Sequence, residues 1–168
     1  MTLRWSQTAL VGFAAVLMAL VAWNNIVDYP ANWPFVRHVL AMDQVFPSAM
    51  PHDRAITAEP IVRTAYALII GWEVISALLI AAGAMRMAVG SRGGRVAFRR
   101  AKALAVAGLA LAMLLYGVGF LAVGGEWFLM WQSSTWNGTD AAARFFVVLG
   151  MVLIILLQET SEAPADSE

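Results

Sequence analysis

The chain has 168 residues, of which 61% are hydrophobic and 13% are charged, and its mean hydropathy is +0.71. Soluble domains contain about 45–50% apolar and about 25% charged residues, so this composition excludes an ordinary soluble domain. Eleven basic and eleven acidic side chains cancel, which leaves no global charge to attract nucleic acid. The lack of cysteine excludes disulfides and cysteine-ligated metals. The composition therefore indicates a polytopic membrane protein.

The first apolar segment runs from Arg4 to Asp28 with no charge in between. It exceeds the roughly 20 residues that a helix needs to cross the hydrocarbon core, and it predicts a transmembrane helix at about 7–27. A cleaved signal peptide is the alternative, because a basic residue precedes the apolar run. The end of the segment, Leu20 to Asn25, lacks the small-x-small cleavage pattern, which favours a retained anchor.

A loop long enough to hold structure follows, from Asp28 to Glu59. Pro34 is well placed to open a helix, because its fixed backbone dihedral suits a first helical position where no amide donor is needed. Apolar residues then recur at near-helical spacing, opposite Arg37 and Asp43. We expect a short amphipathic helix on the outer leaflet. Its apolar residues would be Phe35, Val39, Leu40 and Met42, and it would end before Pro47 and Pro51.

The second predicted span, about 62–85, contains a single charged residue, Glu73. Helical geometry places Glu73 about 15 Å from Arg63, close to the bilayer midplane. An ionisable group there costs about 2.5–3.5 kcal/mol and usually faces the interior of a helix bundle. The spacing from Arg63 through Tyr66 to Glu73 and Ala77 predicts one stripe on this helix.

The third predicted span, about 103–123, carries Tyr116 at a depth comparable with that of Glu73. The last apolar run is short, so we expect the fourth span, about 141–158, to carry Arg144 in its outer turn. Glu73 is then interpreted either as a carboxylic acid hydrogen-bonded between helices or as a group that handles protons or cations. The structural interpretation is favoured, because a transport path usually needs several intramembrane ionisable groups and only Arg144 is a candidate to join it.

Basic residues in short loops predict the orientation. They concentrate at the N-terminus and in the loop 86–102, so we expect both termini and this loop to lie in the cytoplasm. The acidic tail, 159–168, is expected to be a short solvated end. The basic residues on the cytoplasmic side would be Arg4, Arg86, Arg92, Arg95, Arg99, Arg100 and Lys102, and those on the other side Arg37, Arg54, Arg63 and Arg144.

The outer loop between the third and fourth spans combines tryptophans with hydrogen-bonding side chains. This composition is typical of a protein–protein interface. An aromatic belt at the lipid headgroups is the alternative and explains many of the rings by itself. The residues predicted to bind a partner at this face are Trp127, Trp131, Gln132, Trp136, Asn137, Asn24, Asn25 and His38.

Only two histidines occur, and both fall in the first outer loop, which excludes a bis-histidine haem within the membrane. Together with two methionines they allow a copper site as a minor alternative. No nucleophile motif, zinc-protease motif or phosphate loop is present. We therefore expect no enzyme activity, no cofactor and no bound metal. The copper alternative would use His38, Met42, Met50 and His52.

Four features of the sequence form a distinctive set: Asn24, Asn25, Asp28 and Tyr29; the segment Phe35 to Asp43; Glu73; and the pattern Trp127-Phe128-x-Met130-Trp131-Gln132-Ser133-x-x-Trp136-Asn137-Gly138. By these features the chain resembles a bacterial family of predicted small integral membrane proteins of unknown function. The resemblance covers nearly the whole chain, and it implies a four-span protein of the Gram-negative inner membrane, with no catalytic role for any residue.

The sequence thus predicts an all-α membrane protein in a single domain, with four transmembrane helices and a short amphipathic helix in the first outer loop. Its function is predicted to be that of an accessory or assembly subunit, which binds a membrane partner or a second copy through the outer aromatic face. The alternative is a small proton or cation transporter or channel centred on Glu73. An enzyme acting on a lipid or quinone ranks last, because no nucleophile–base pair is visible.

Overall fold

Helices form the regular structure of this computed structural model, which describes residues 2–47 and 52–158. No strand occurs in these two ranges. A 3₁₀ turn lies at His52–Arg54 and another at Met130–Gln132. The helices are α1 (Thr2–Val27), α2 (Tyr29–Ala41), α3 (Glu59–Gly90), α4 (Arg95–Ala101), α5 (Ala103–Leu114), a π-helical segment that continues α5 (Leu115–Trp127), and α6 (Thr139–Leu157).

Four helical stretches within the described residues are long and apolar enough to cross a membrane, which confirms the predicted number of spans. Those containing α1, α3 and α5 extend beyond the predicted boundaries. The reason is that charges mark the limits of the hydrocarbon core, whereas a helix continues through the headgroups as long as its backbone hydrogen bonds are made. The stretches are Leu3–Val27, Glu59–Gly90, Arg95–Trp127 and Thr139–Leu157.

The four long helices form a closed bundle in which sequence neighbours run in opposite directions. α1 packs along α3, α3 along α5, and α5 with its π-helical continuation along α6, while α6 also contacts α1. One end of the bundle carries α2 and the segment 128–138, and we call it the α2 end. The opposite end carries the chain's first residues, α4 and the last turn of α6, and we call it the α4 end.

Small residues bring α3 and α5 into close contact. A Cβ atom added at Gly83 of α3 would overlap the backbone of Ala105, and one added at Gly108 of α5 would lie 2.8 Å from the backbone nitrogen of Ile80. Apolar attraction to lipid and to protein is similar within a membrane, so helix association there depends on such close packing. These two glycines therefore set the separation of the central helix pair.

Long polar side chains tie the last turn of α6 to the bundle at the α4 end. Gln7 Nε2 donates to the carbonyl oxygens of Ile155 at 2.8 Å and of Gln158 at 3.0 Å. Lys102 Nζ donates to the carbonyl oxygens of Leu156 at 2.6 Å and of Gln158 at 3.1 Å. The last carbonyls of a helix lack partners within the helix, so these two side chains stabilise the end of α6. The predicted acidic tail, 159–168, lies outside the described residues.

The predicted start of the first-loop helix is wrong. α2 begins at Tyr29, so that Pro30 occupies its first turn, and Pro34 lies inside the helix. Proline suits the first turn because the backbone nitrogen there has no hydrogen-bond partner within the helix. Pro30, the second residue of α2, meets this condition. The single residue Asp28 separates the two helices, and its carbonyl oxygen accepts from the amide of Ala31 at 3.0 Å.

The apolar side of α2 packs against protein. Val36 is buried with Val62 and Tyr66 of α3, whereas Val39 is buried with Phe128 and Met130 of the segment 128–138. α2 therefore covers the α2 end of the bundle and contacts both α3 and the loop that precedes α6. Of the apolar residues predicted for this helix, Val39 and Met42 are buried and Phe35 and Leu40 are partly buried.

Candidate functional site

Glu73 lies near the middle of α3 and is buried, with 1% of its surface exposed. Its Oε2 atom accepts a 2.7 Å hydrogen bond from Asn25 Nδ2 of α1. Asn24, the neighbour of Asn25, is exposed. The helical rotation between these two residues therefore turns one amide inward to the carboxyl group and leaves the other at the surface.

A tyrosine completes the polar chain between α1 and α3. Tyr66 is 1% exposed and lies about two turns before Glu73 on the same side of α3. Its hydroxyl donates to Asn25 at the backbone oxygen, 3.2 Å away, and at Oδ1, 3.4 Å away. Asn25 thus accepts through its backbone and side-chain oxygens and donates through its side-chain nitrogen, and an amide supplies both a donor and an acceptor from one side chain.

The π-helical segment supplies a second tyrosine. π-helices are rare and are frequent at functional sites. Tyr116 is 3% exposed, and its ring stacks on Phe145 of α6 with the centroids 4.7 Å apart. Its hydroxyl oxygen is buried and has no hydrogen-bond partner among the described residues. Burying a hydroxyl without a partner costs about 1–3 kcal/mol, so this group is suited to bond to an occupant of the space beside it.

A cavity of about 240 Å³ brings Glu73, Asn25, Tyr66 and Tyr116 together. It continues towards the α2 end, where Asn32 of α2 lines it. This volume accommodates several water molecules or one small organic molecule. The rest of the lining is apolar and rich in aromatic rings, and consists of Val21, Phe35, Val36, Ile69, Phe120, Gly138, Ala141, Ala142 and Phe145.

The side chains of this cavity favour an occupant that donates hydrogen bonds or carries positive charge. A carboxyl group and amide oxygens accept hydrogen bonds, and the faces of aromatic rings attract cations. The phenol of Tyr116 can accept or donate, so it suits water as well as a cation's hydration shell. We call this arrangement of Glu73, Asn25, Tyr66 and Tyr116 the Glu73 site.

Arg63 and Arg144, predicted with Glu73 as intramembrane polar residues, do not line this cavity. Arg63 is exposed at the α2 end, where its Nε lies 2.8 Å from Glu59 Oε1 and its guanidinium lies 5.0 Å from the ring of Trp33. Arg144 is exposed on α6. The predicted stripe on α3 is therefore wrong at Arg63, because the buried side of the helix runs through Val62 instead.

Several of the predicted partner-binding residues have contacts within the protein, and three of them lie near the start of α6. Gln132 Oε1 accepts from the backbone amide of Phe46 at 2.8 Å. Trp136 stacks on His38 with the ring centroids 4.7 Å apart. Asn137 Oδ1 accepts from the backbone amide of Thr139 at 3.0 Å, at the start of α6. These side chains hold the segment 128–138 against α2 and α6, a role that the sequence interpretation did not include.

Trp127 and Trp131 remain accessible at the α2 end, with 53% and 46% of their surfaces exposed. The guanidinium of Arg54 lies 4.5 Å from the centroid of the Trp127 ring. Trp131 meets Phe46 edge to face, with centroids 6.1 Å apart. We call Trp127, Trp131 and Phe46 the aromatic face. The residues predicted to form one partner-binding face therefore do not lie together. Asn25 belongs to the Glu73 site, and His38 stacks on Trp136.

The residues of the copper alternative have other contacts where they are described. His38 Nδ1 lies 2.6 Å from Asp43 Oδ2, and Met42 is buried with Val39, Phe128 and Met130. Met50 and the side chain of His52 lie outside the described residues.

Sequence reasoning placed Tyr66 on the stripe of α3 that carries Glu73 but did not name it as a site residue, and it did not predict that Asn32 lines the cavity. Tyr66 had a signal, because its spacing from Glu73 places both side chains on one side of a helix. Asn32 had none, since the start of α2 was placed too late and the first helical turn was counted as loop.

A family model described as "Predicted small integral membrane protein (DUF2165)" matches residues 3–159, which is nearly the whole chain. No curated protein and no solved structure matches the chain.

Proposed function

The chain belongs to this family of predicted small integral membrane proteins, and we propose that it binds a proton or a small cation at the Glu73 site as a small transporter or channel. It is a multi-pass membrane protein in contact with the lipid bilayer. The observation that carries the proposal is the cavity in which the buried carboxyl group of Glu73 and the unpartnered hydroxyl of Tyr116 meet.

The cavity favours the interpretation of Glu73 as a group that handles protons or cations over the interpretation as a structural hydrogen bond. A carboxyl group that served only to join helices would have its hydrogen-bonding atoms taken up by protein partners. Glu73 instead has one donor, Asn25, and faces a space that continues towards the α2 end. In this proposal the protein binds and moves its ligand and is not an enzyme.

Replacing Glu73 by Gln tests the proposal. The amide retains an oxygen that accepts from Asn25 but cannot ionise, so Glu73→Gln should abolish proton or cation flux in liposomes while thermal stability in detergent stays near that of the native protein. Glu126→Gln, which changes an exposed carboxylate outside the cavity, is the control and should leave flux unchanged. Equal flux in all three proteins, or none in the native protein, would contradict transport through Glu73.

A second proposed function, that of an accessory or assembly subunit, is supported by the exposure of the aromatic face. Exposed tryptophans with fixed neighbours are suited to anchor a partner, and each such anchor can contribute about 2 kcal/mol or more to association. Trp127 and Trp131 are the candidates, because Trp136 is engaged in the contact with His38.

Co-purification in mild detergent tests the accessory role. Trp131→Ala should lose a stably bound membrane protein that co-purifies with the native chain, whereas Trp23→Ala, which removes an exposed tryptophan from α1, should retain it. If both variants retain the partner, or both lose it, the aromatic face is not the docking site.

We place the protein in the bacterial inner membrane with both termini in the cytoplasm. This placement is supported by the basic residues at the α4 end and by the resemblance to a Gram-negative family. The aromatic face and the part of the Glu73 cavity that Asn32 lines would then be on the periplasmic side.

A further inference from the structure

The α4 end contains a groove that the Glu73 site does not involve. It has a volume of about 420 Å³ and lies where the span beginning at Arg95 meets the last turn of α6. Three cationic side chains and four apolar ones form its walls. We call it the α4 groove, lined by Arg95, Arg99, Lys102, Phe98, Ala103, Val106 and Leu157.

We propose that the α4 groove binds one anionic phospholipid, with its phosphate at Arg95, Arg99 and Lys102 and the start of an acyl chain along Val106 and Leu157. The groove joins the two kinds of surface that such a lipid presents. Phosphate pairs with guanidinium groups through charge-assisted hydrogen bonds, while an acyl chain requires an apolar wall that continues into the hydrocarbon core.

Charge complementarity at the α4 end favours an anionic occupant. The segments of the described chain that meet there, 2–8, 86–106 and 145–158, contain seven cations: Arg4, Arg86, Arg92, Arg95, Arg99, Arg100 and Lys102. The sequence that follows, 159–168, contains four acidic residues, so the cations exceed the acidic residues by three. Basic pockets between helices at the membrane boundary are a recognised type of binding site for anionic lipid headgroups.

The groove also has a fixed framework. Lys102 Nζ donates to the carbonyl oxygens of Leu156 and Gln158, and it lies 5.3 Å from the centroid of the Phe98 ring. Phe98 is 2% exposed, so α4 is held against the bundle. Arg99 is exposed on the same short helix. A positively charged rim is therefore attached directly to the end of α6, and bound lipid would stabilise this junction.

Native mass spectrometry of the purified full-length chain tests the proposal. The protein is loaded from vesicles of phosphatidylglycerol or of phosphatidylcholine with identical acyl chains, and the lipid retained in mild detergent is measured. We expect selective retention of one phosphatidylglycerol. Arg95→Gln combined with Arg99→Gln should lower its affinity about 30-fold, as two cations near an anionic surface are removed.

Two further variants distinguish specific binding of one lipid in the α4 groove from general electrostatic attraction to a negatively charged membrane. Arg92→Gln removes an exposed cation from the connector outside the groove and should retain the lipid. Val106→Trp fills the apolar wall without changing any charge and should lose it. Equal loss for Arg92→Gln and the double variant, or full binding by Val106→Trp, would overturn the proposal.

Discussion

Asn25 connects the polar groups of α1 and α3 at the scale of single residues. Its side chain donates to Glu73 at 2.7 Å, and its oxygens accept from Tyr66. An aspartate in this position would lack the donor that Glu73 needs, and an apolar residue would lack both that donor and the side-chain acceptor, keeping only the backbone oxygen for Tyr66. The site therefore depends on an amide at residue 25, although nothing in the local sequence distinguishes it from the amide at residue 24.

Replacing each of these two asparagines by alanine should separate their roles. Asn25→Ala leaves the buried carboxyl group without its donor and should lower the free energy of unfolding by about 1–3 kcal/mol. Asn24→Ala changes an exposed side chain, and its effect should stay within about 0.5 kcal/mol. Reversible unfolding in detergent micelles measures both, and equal losses would contradict the inward assignment of Asn25.

At the scale of elements, the contact between α3 and α5 depends on Gly83 and Gly108, where an added Cβ atom would overlap the facing helix. The same helix pair places Glu73 and Tyr116 around one cavity, because the π-helical segment continues directly from α5. A change in the separation of these helices should therefore affect both packing and the site.

Two glycines of α3 provide a matched comparison. Alanine is favoured over glycine within helices by about 0.5–1 kcal/mol, so Gly71→Ala, which adds a methyl group where no atom lies within 4 Å, should be neutral or stabilising. Gly83→Ala should be destabilising, because the same methyl group overlaps the backbone of Ala105. Thermal unfolding of the two variants should show shifts of opposite sign. A gain in stability for Gly83→Ala would mean that α3 and α5 separate at little cost.

At the scale of the whole molecule, the two ends of the bundle differ in chemistry. The α4 end is rich in cations, and the α2 end carries the aromatic face and the part of the Glu73 cavity that Asn32 lines. Cations retained in short loops favour the cytoplasmic side, so this difference is the basis of the proposed orientation.

Reporter fusions test this orientation. A reporter enzyme active only in the periplasm should be active when fused after Asp53 or Ser134 and silent when fused after Gly94. All three positions lie in segments that connect long helices. Activity after Gly94 would reverse the assignment, together with the placement of the aromatic face and of the α4 groove.

The four spans were predictable from the sequence because each is a local property. A long run of apolar residues must form a helix in lipid, since only then are all of its backbone groups hydrogen-bonded within the segment. The burial of Glu73 was likewise expected, because a charge at that depth is costly at the surface of a bundle. The start of α2 was missed because two prolines, Pro30 and Pro34, both suit a first helical turn and only the contacts of the helix choose between them.

The candidate site required the tertiary structure. Asn25 and Glu73 are separated by 48 residues, and Gln132 and Phe46 by 86, so their hydrogen bonds depend on how whole helices and loops are placed. Sequence composition assigned Asn25, Gln132, Trp136 and Asn137 to one outer surface. In the fold, Asn25 lines the cavity, whereas the other three make contacts that hold the segment 128–138 in place. The rotation of each helix about its axis decides which polar side chains find partners inside the bundle. Hydropathy measures how apolar a segment is, but that rotation is decided by close packing between helices that are distant in sequence.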